Sequence, residues 1–182
     1  MYMIDLISIY SLHQFGTFQG PKSLKSYEMA STISGSDVRS IYCIMIVSCF
    51  NESKSLVSSV IVHRDMKLEN IMVDSNGYIK IIDFGLAKFL QQDEQTMTFC
   101  GTAEYFAPEV IATSGHDRMV DWWAVGILIF EMLFGTSPFF NRNRQVLMSK
   151  IKYSRVVFPS RAKFNIEYTD VVVDLITKLL VK

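Results

Sequence analysis

The sequence predicts a mainly helical α+β fold carrying a small β-hairpin, on three observations. VDWWAVGILIFEMLFG at 120–135 is apolar nearly all round, as expected of a helix buried on most sides. Residues 169–181 place Val172, Leu175, Ile176, Leu179 and Leu180 on one helical face. Ile71–Val73 and Tyr78–Ile82 are short strand-like runs, and the Asn76-Gly77 pair between them is a strong hairpin turn signal.

Taken in order, residues 1–36 mix Ser, Gly, Thr and isolated apolar side chains without a sustained period and stay unassigned. From Asp37 a helix is expected, with Val38, Ile41, Tyr42, Met45, Ile46 and Cys49 on one face and Ser36 or Asp37 as its cap. It breaks at Asn51–Ser55. The hairpin 71–82 follows, then a polar stretch over 89–118 that reads as loop, punctuated by Gly101, Pro108 and Gly115. The apolar helix over 119–134 is expected to end at Ser137-Pro138. Short helices over 143–152 and 169–181 complete the chain. Residues 37–182 thus read as one domain.

Composition narrows the function. A chain of 182 residues with 49% hydrophobic and 20% charged residues has globular values and enough length for its own core. Lys+Arg and Asp+Glu each number 18, which argues against a nucleic-acid binder driven by phosphate neutralisation. Cys43, Cys49 and Cys100 form an odd, scattered set, and His13, His63 and His116 lie at no ligand-like spacing from them. Reduced thiols in a cytoplasmic or nuclear protein are the simpler expectation. The opening MYMIDLISIYSL lacks a basic region and contains Asp5, unlike a signal peptide. The longest apolar runs, IYCIMIV and WWAVGILIF, fall short of the roughly 20 residues that span a bilayer.

The chemistry concentrates in IVHRDMKLENIMVDSNGYIKIIDFGLAK at 61–88, where Asp65, Lys67, Glu69, Asn70 and Asp83 interrupt apolar runs. A carboxylate on a turn after a strand can take a proton from a hydroxyl. A lysine two residues on can steady a phosphate, and an asparagine three further can offer a carbonyl to a metal. Asp83, after the hairpin, can complete that site from the opposite wall. One Asp and one Asn suit Mg²⁺, which prefers few protein oxygens plus phosphate and water. Singly, each of these residues is as readily a turn cap or surface charge.

HRDMKLEN at 63–70, DFG at 83–85 and APE at 107–109 resemble the catalytic loop, metal loop and activation-segment end of eukaryotic protein kinases. TFCGTAEYFAPEV at 98–110 and DWWAVGILIFEMLFGTSPFF at 121–140 are similar to the cyclic-nucleotide-dependent and protein kinase B and C-like serine/threonine kinases. The likeness is dense over 61–182 and thin over 37–60. It implies a kinase-like α+β large lobe, with ATP and Mg²⁺ as cofactors. It implies Asp65 as catalytic base, Lys67 on the transferred phosphate, and Asn70 and Asp83 on Mg²⁺. Met72 matches the floor of the adenine pocket, although a hairpin methionine is also an ordinary core filler. His63 and Phe84 match members of an internal apolar stack.

By the same resemblance Thr102 bonds the catalytic Asp and Lys and favours Ser/Thr substrates. Glu69 and Glu131 match positions that receive arginine upstream of the target hydroxyl, although Glu131 alone could be a solvated or capping charge. Phe99, Ala103 and Phe106 match the pocket for the residue after the target, with Ala103 where the family usually has proline. Arg64 before the base implies a phosphate on the activation segment, and Thr98 stands at the matching place for an upstream kinase to modify. Protein substrates rich in arginine are therefore the implied partners.

The small-lobe motifs of such kinases are not found in residues 1–60. Gly16-Thr-Phe-Gln-Gly20 has the wrong spacing for GxGxxG, and Lys22, Lys25 and Lys54 stand in Ser/Pro surroundings rather than a V-A-I-K strand. A truncated large lobe, poorly active alone, is the first expectation. The alternative is a pseudokinase serving as a binding or scaffold module.

Overall fold

The computed structural model describes residues 61–73, 79–91, 93–164 and 168–182. The helix expected from Asp37, the Asn76-Gly77 turn and the N-terminal segment lie outside the described residues.

Two small antiparallel pairs frame the first half. Strand β1 (Ile61–Val62) pairs with β4 (Lys88–Phe89), in register Ile61 opposite Phe89 and Val62 opposite Lys88. Strands β2 (Ile71–Val73) and β3 (Ile79–Ile81) form the expected hairpin, with Ile71 opposite Ile81 and Met72 opposite Lys80. The pleat sends Ile71 into the core and leaves Met72 more than half exposed. Residues 63–70 link β1 to β2 and end in a 3₁₀ turn, Leu68–Asn70. The loop after β3 holds a second, Phe84–Leu86. The Ile82 N–H donates to the Asn70 carbonyl at 2.9 Å, so the two loops emerge side by side.

The stretch expected as loop over 89–118 contains more structure than that. Thr96 and His116 exchange both backbone hydrogen bonds, at 2.9 and 3.0 Å. A 3₁₀ turn covers Ala103–Tyr105, and α1 (Pro108–Ala112) is a short helix. Pro108 starts that helix rather than punctuating a loop, because at the first helical position its missing N–H has no partner to lose.

Helix α2 (Met119–Phe134) is the spine of the molecule, burying residues on all sides, including Val125, Ile127, Leu128 and Ile129. It ends earlier than Ser137-Pro138. Gly135 closes it with φ of 73°, a left-handed cap that a side chain would disfavour, and its N–H donates to the Glu131 carbonyl at 2.7 Å. Helix α3 (Arg144–Tyr153) starts where the Asn143 side chain accepts from Gln145 N and Val146 N, and it buries Leu147 and Ile151 one turn apart. After the short α4 (Arg161–Phe164), α5 (Asp170–Leu179) is capped by Thr169 and turns Val172, Leu175 and Ile176 onto α2. Each such aliphatic side chain contributes roughly 1.5–3 kcal/mol by leaving water. Phe130, Phe134, Phe158 and Tyr168 form an aromatic cluster at the far end of α2. Among the described residues no helix is long and apolar enough to cross a membrane.

Candidate active site

The loop 63–70 is held from below by the first turn of α2. Asp121 is buried, and its carboxylate accepts from both His63 N (2.7 Å) and Arg64 N (2.9 Å). Burial pushes this carboxyl up, and the two backbone donors pull it back. Arg64 sits at φ of 66°, a left-handed conformation unusual outside glycine, and the Asp121 clamp fixes it there. Gly101, at φ of 105°, lies directly over this bend; a Cβ there would overlap the Arg64 carbonyl oxygen.

His63 is fully buried and stacks edge-on against Phe84 at 5.0 Å. Its Nδ1 accepts from the Asp65 N–H at 3.3 Å, which leaves Nε2–H to donate to the Ile82 carbonyl at 3.1 Å. The ring is thereby a tie between the two loops, with both nitrogens committed.

Above that base, Asp65 gathers three partners. Lys67 Nζ donates to Oδ2 at 2.8 Å, Thr102 Oγ1–H donates to Oδ1 at 2.7 Å, and Asn70 Nδ2 reaches Oδ2 at 3.3 Å and the Asp65 carbonyl at 2.9 Å. Lys67 also donates to Thr102 Oγ1 at 3.1 Å. Burial alone would raise the Asp65 carboxyl, but the Lys67 and Thr102 bonds, the Lys67 charge and the Asn70 bond hold it below the ordinary carboxylate value. Its own carboxylate in turn raises Lys67. The site therefore presents an ionised carboxylate at neutral pH, with the Asn70 nitrogen committed to Asp65.

Asp83 stands at φ of 60° and caps the turn Phe84–Leu86, accepting from Gly85 N at 3.2 Å. That bond uses one carboxylate oxygen. The carboxylate of Asp83 and the amide oxygen of Asn70 are a donor set of the size Mg²⁺ takes from protein when phosphate oxygens complete its shell. Met72, exposed on the hairpin, is not a core filler.

Further along, Phe99 and Phe106 meet edge-on at 4.8 Å, and Ala103 begins the turn Ala103–Tyr105 packed against the core. Glu131 accepts from the Tyr105 hydroxyl, an arrangement more enclosed than a solvated surface charge. Burial raises the Glu131 carboxyl, the Tyr105 bond lowers it, and the Glu69 and Glu104 charges raise it further, so three carboxylates share one field. Sequence reasoning missed Glu104 and Tyr105. The only signal for them was their place between Thr102 and Phe106.

Arg64 and Thr98, by contrast, are not in contact. The Arg64 Nε–H donates to the Leu86 carbonyl at 2.7 Å, while its Nη1 is buried without a hydrogen-bond partner. Thr98 meets Thr96 through their hydroxyls at 3.3 Å, and Lys88 Nζ reaches the Thr96 hydroxyl at the same distance.

A clamped loop with an ionised Asp beside Lys and Asn, facing an Asp-Phe-Gly turn across a small hairpin, is the arrangement of a protein kinase large lobe. The protein kinase domain family matches residues 22–182, and the chain belongs to that family. It is 52% identical over 126 residues to the human cAMP-dependent protein kinase catalytic subunit PRKX, covering 69% of this chain and 33% of that protein. The mouse protein of that name is 48% identical over 146 residues, covering 80% of this chain and 38% of its own length. A Dictyostelium discoideum cAMP-dependent protein kinase catalytic subunit is 47% identical over 117 residues, covering 64% of this chain and 17% of that protein. The chain thus spans well under half the length of these curated relatives. Protein kinases as a family use ATP and Mg²⁺.

Proposed function

We propose that this chain carries the catalytic large lobe of a serine/threonine protein kinase that phosphorylates arginine-rich protein substrates. The observation that carries the reading is the Asp65 carboxylate, ionised and aimed by Lys67, Thr102 and Asn70. Asp65 accepts the proton of the incoming hydroxyl, a contribution of about 10²–10⁴-fold for a placed base. Lys67 lies close enough to shift from Asp65 to a transferred phosphate. Asn70 and Asp83 would hold Mg²⁺, and Mg²⁺-bound ATP supplies the phosphoryl group. Thr102, bonded to both Asp65 and Lys67, would favour Ser or Thr substrates. Glu69 and Glu131 would receive substrate arginine, whose charge relieves the crowding of their carboxylates. Phe99, Ala103 and Phe106 would take the next side chain, and Met72 the adenine. A phosphate placed on Thr98 by an upstream kinase would answer the buried, unpartnered Arg64 Nη1. The cytoplasm, or the nucleus, is the proposed compartment.

A second reading, a binding or scaffold module, draws on the missing Gly-rich and V-A-I-K motifs in residues 1–60. One experiment separates the two: transfer of labelled phosphate from ATP to an arginine-rich serine peptide, by residues 1–182 and by Asp65→Asn. Slow, Mg²⁺-dependent incorporation that is lost in Asp65→Asn is expected. Equal incorporation in both, or none in either, refutes catalysis by this chain and leaves the binding module.

A further inference from the structure

Beside Arg64, whose Nη1 is buried without a hydrogen-bond partner, lies a cavity of about 20 Å³, room for roughly one water. Arg64, Asp65, Thr102, His116 and Asp121 are among the residues that line it. His116 is buried. Its backbone is fixed to Thr96 by the double bridge, two residues from Thr98. Lys88 approaches from β4 and bonds the Thr96 hydroxyl, which itself touches the Thr98 hydroxyl. A guanidinium and an imidazole thus share one cavity, and the His116 backbone is bridged to the same Thr96 whose hydroxyl meets both Lys88 and the exposed Thr98.

We propose that His116 is a third ligand of a phosphate on Thr98, joining Arg64 and Lys88, and that it takes up a proton as that phosphate docks. The proposal rests on the Thr98 modification suggested above. In the modifying step the Thr98 Oγ–P bond forms and the bridging P–O bond of ATP breaks. ADP leaves, and the hydroxyl proton passes to the modifying kinase. The second proton, to His116, comes from solvent.

The electrostatics run in that direction. In the unmodified chain burial, then the Arg64 charge, then the Lys88 charge hold the imidazole below its ordinary value, with Asp117 opposing them. Asp121 and Asp65 also face the cavity, but each is already occupied by its own donors. Cys100 completes the wall. Two nearby cations around an unprotonated ring form an incomplete cluster. A phosphate of about −1.5 to −2 charge reverses the sign of the field there. An opposite charge within about 4–6 Å favours the charged form of a group by about one to three pH units.

The test uses the full 182-residue chain with and without phosphothreonine at position 98. The ring-proton resonance of His116 is followed by NMR across the neutral range; His116 is one of only three histidines and is identified by its loss in His116→Gln. The His116 midpoint is expected to rise by about one unit or more on phosphorylation. The gain in Tm on phosphorylation is also expected to shrink in His116→Gln, whereas a purely structural histidine would lower both forms equally. Should the midpoint stay put while Arg64→Ala still abolishes the Tm gain, His116 is no ligand and the Thr98–Arg64 reading survives. Should phosphorylation change neither Tm nor the midpoint, both fall. The midpoint is read on the parent chain, so the outcome does not hang on a variant folding.

Discussion

Replacing Asp121 by alanine is expected to harm the fold more than replacing the catalytic candidate Asp65. Asp121 is 2% exposed and satisfies two backbone N–H groups of the loop 63–70. Its loss orphans the buried His63 N–H outright and the part-buried Arg64 N–H in part. An unsatisfied buried donor costs about 1–3 kcal/mol, so the pair costs roughly 2–5 kcal/mol. Part of this is offset, because a carboxyl that burial pushes up no longer has to be buried. The clamp also holds Arg64 in its left-handed conformation, a strain of order 1–3 kcal/mol that the loop would relax away from the productive geometry. Asp65→Ala instead frees Lys67 and Thr102, which turn to water, for about 1 kcal/mol. The assay is urea denaturation of both variants beside Asp121→Asn, which keeps one acceptor and should fall between. For a chain of this size the Asp121→Ala loss corresponds to a fall in Tm of order 5–15 °C. Variants of Asp121 and Asp65 that unfold at the same denaturant midpoint would refute the clamp.

Gly101→Ala is expected to lower Tm and to increase proteolysis of the activation segment, because its φ and the Arg64 carbonyl both exclude a Cβ; an unchanged Tm would show the two loops can separate freely. Stability of the unphosphorylated chain should fall on mild acidification. The folded value of His116 lies below its ordinary 6.5, so the unfolded chain binds that proton first, and stability is lost as pH drops from about 6.5 to the lower folded value. That slope in a urea midpoint-versus-pH series should flatten in His116→Gln.

Elements with a period were readable before any coordinates. The hairpin strands were marked by apolar runs flanking Asn76-Gly77, the helix at 119–134 by its long apolar run, and the stripe Val172, Leu175, Ile176 by helical spacing, so each emerged within a residue or two of its expected place. Two-residue strands have no period to read, which is why the β1–β4 pair was invisible. The five residues of α1 span little more than one turn, and Pro108 signals a helix start as readily as a break. At the site, the motif order proposed Asp65, Lys67, Asn70 and Thr102 as neighbours, and the structure brings them together. What the sequence could not express was contact across distant segments: Tyr105 bonding Glu131, or His116 bridging to Thr96 beside Arg64. Both depend on how the activation segment folds back over α2, and local pattern does not encode that.

The anchoring of the loop 63–70 to α2 has a consequence for its motions. An irregular segment normally opens locally, exchanging its amide hydrogens with solvent at little expense. Here the His63 and Arg64 amides are locked to a carboxylate on the most deeply buried helix. They exchange only when the buried Asp121 carboxylate lets go, so their protection is expected to exceed that of an ordinary loop. The segment bearing Asp65 is, in exchange terms, part of the same cooperative unit as the spine.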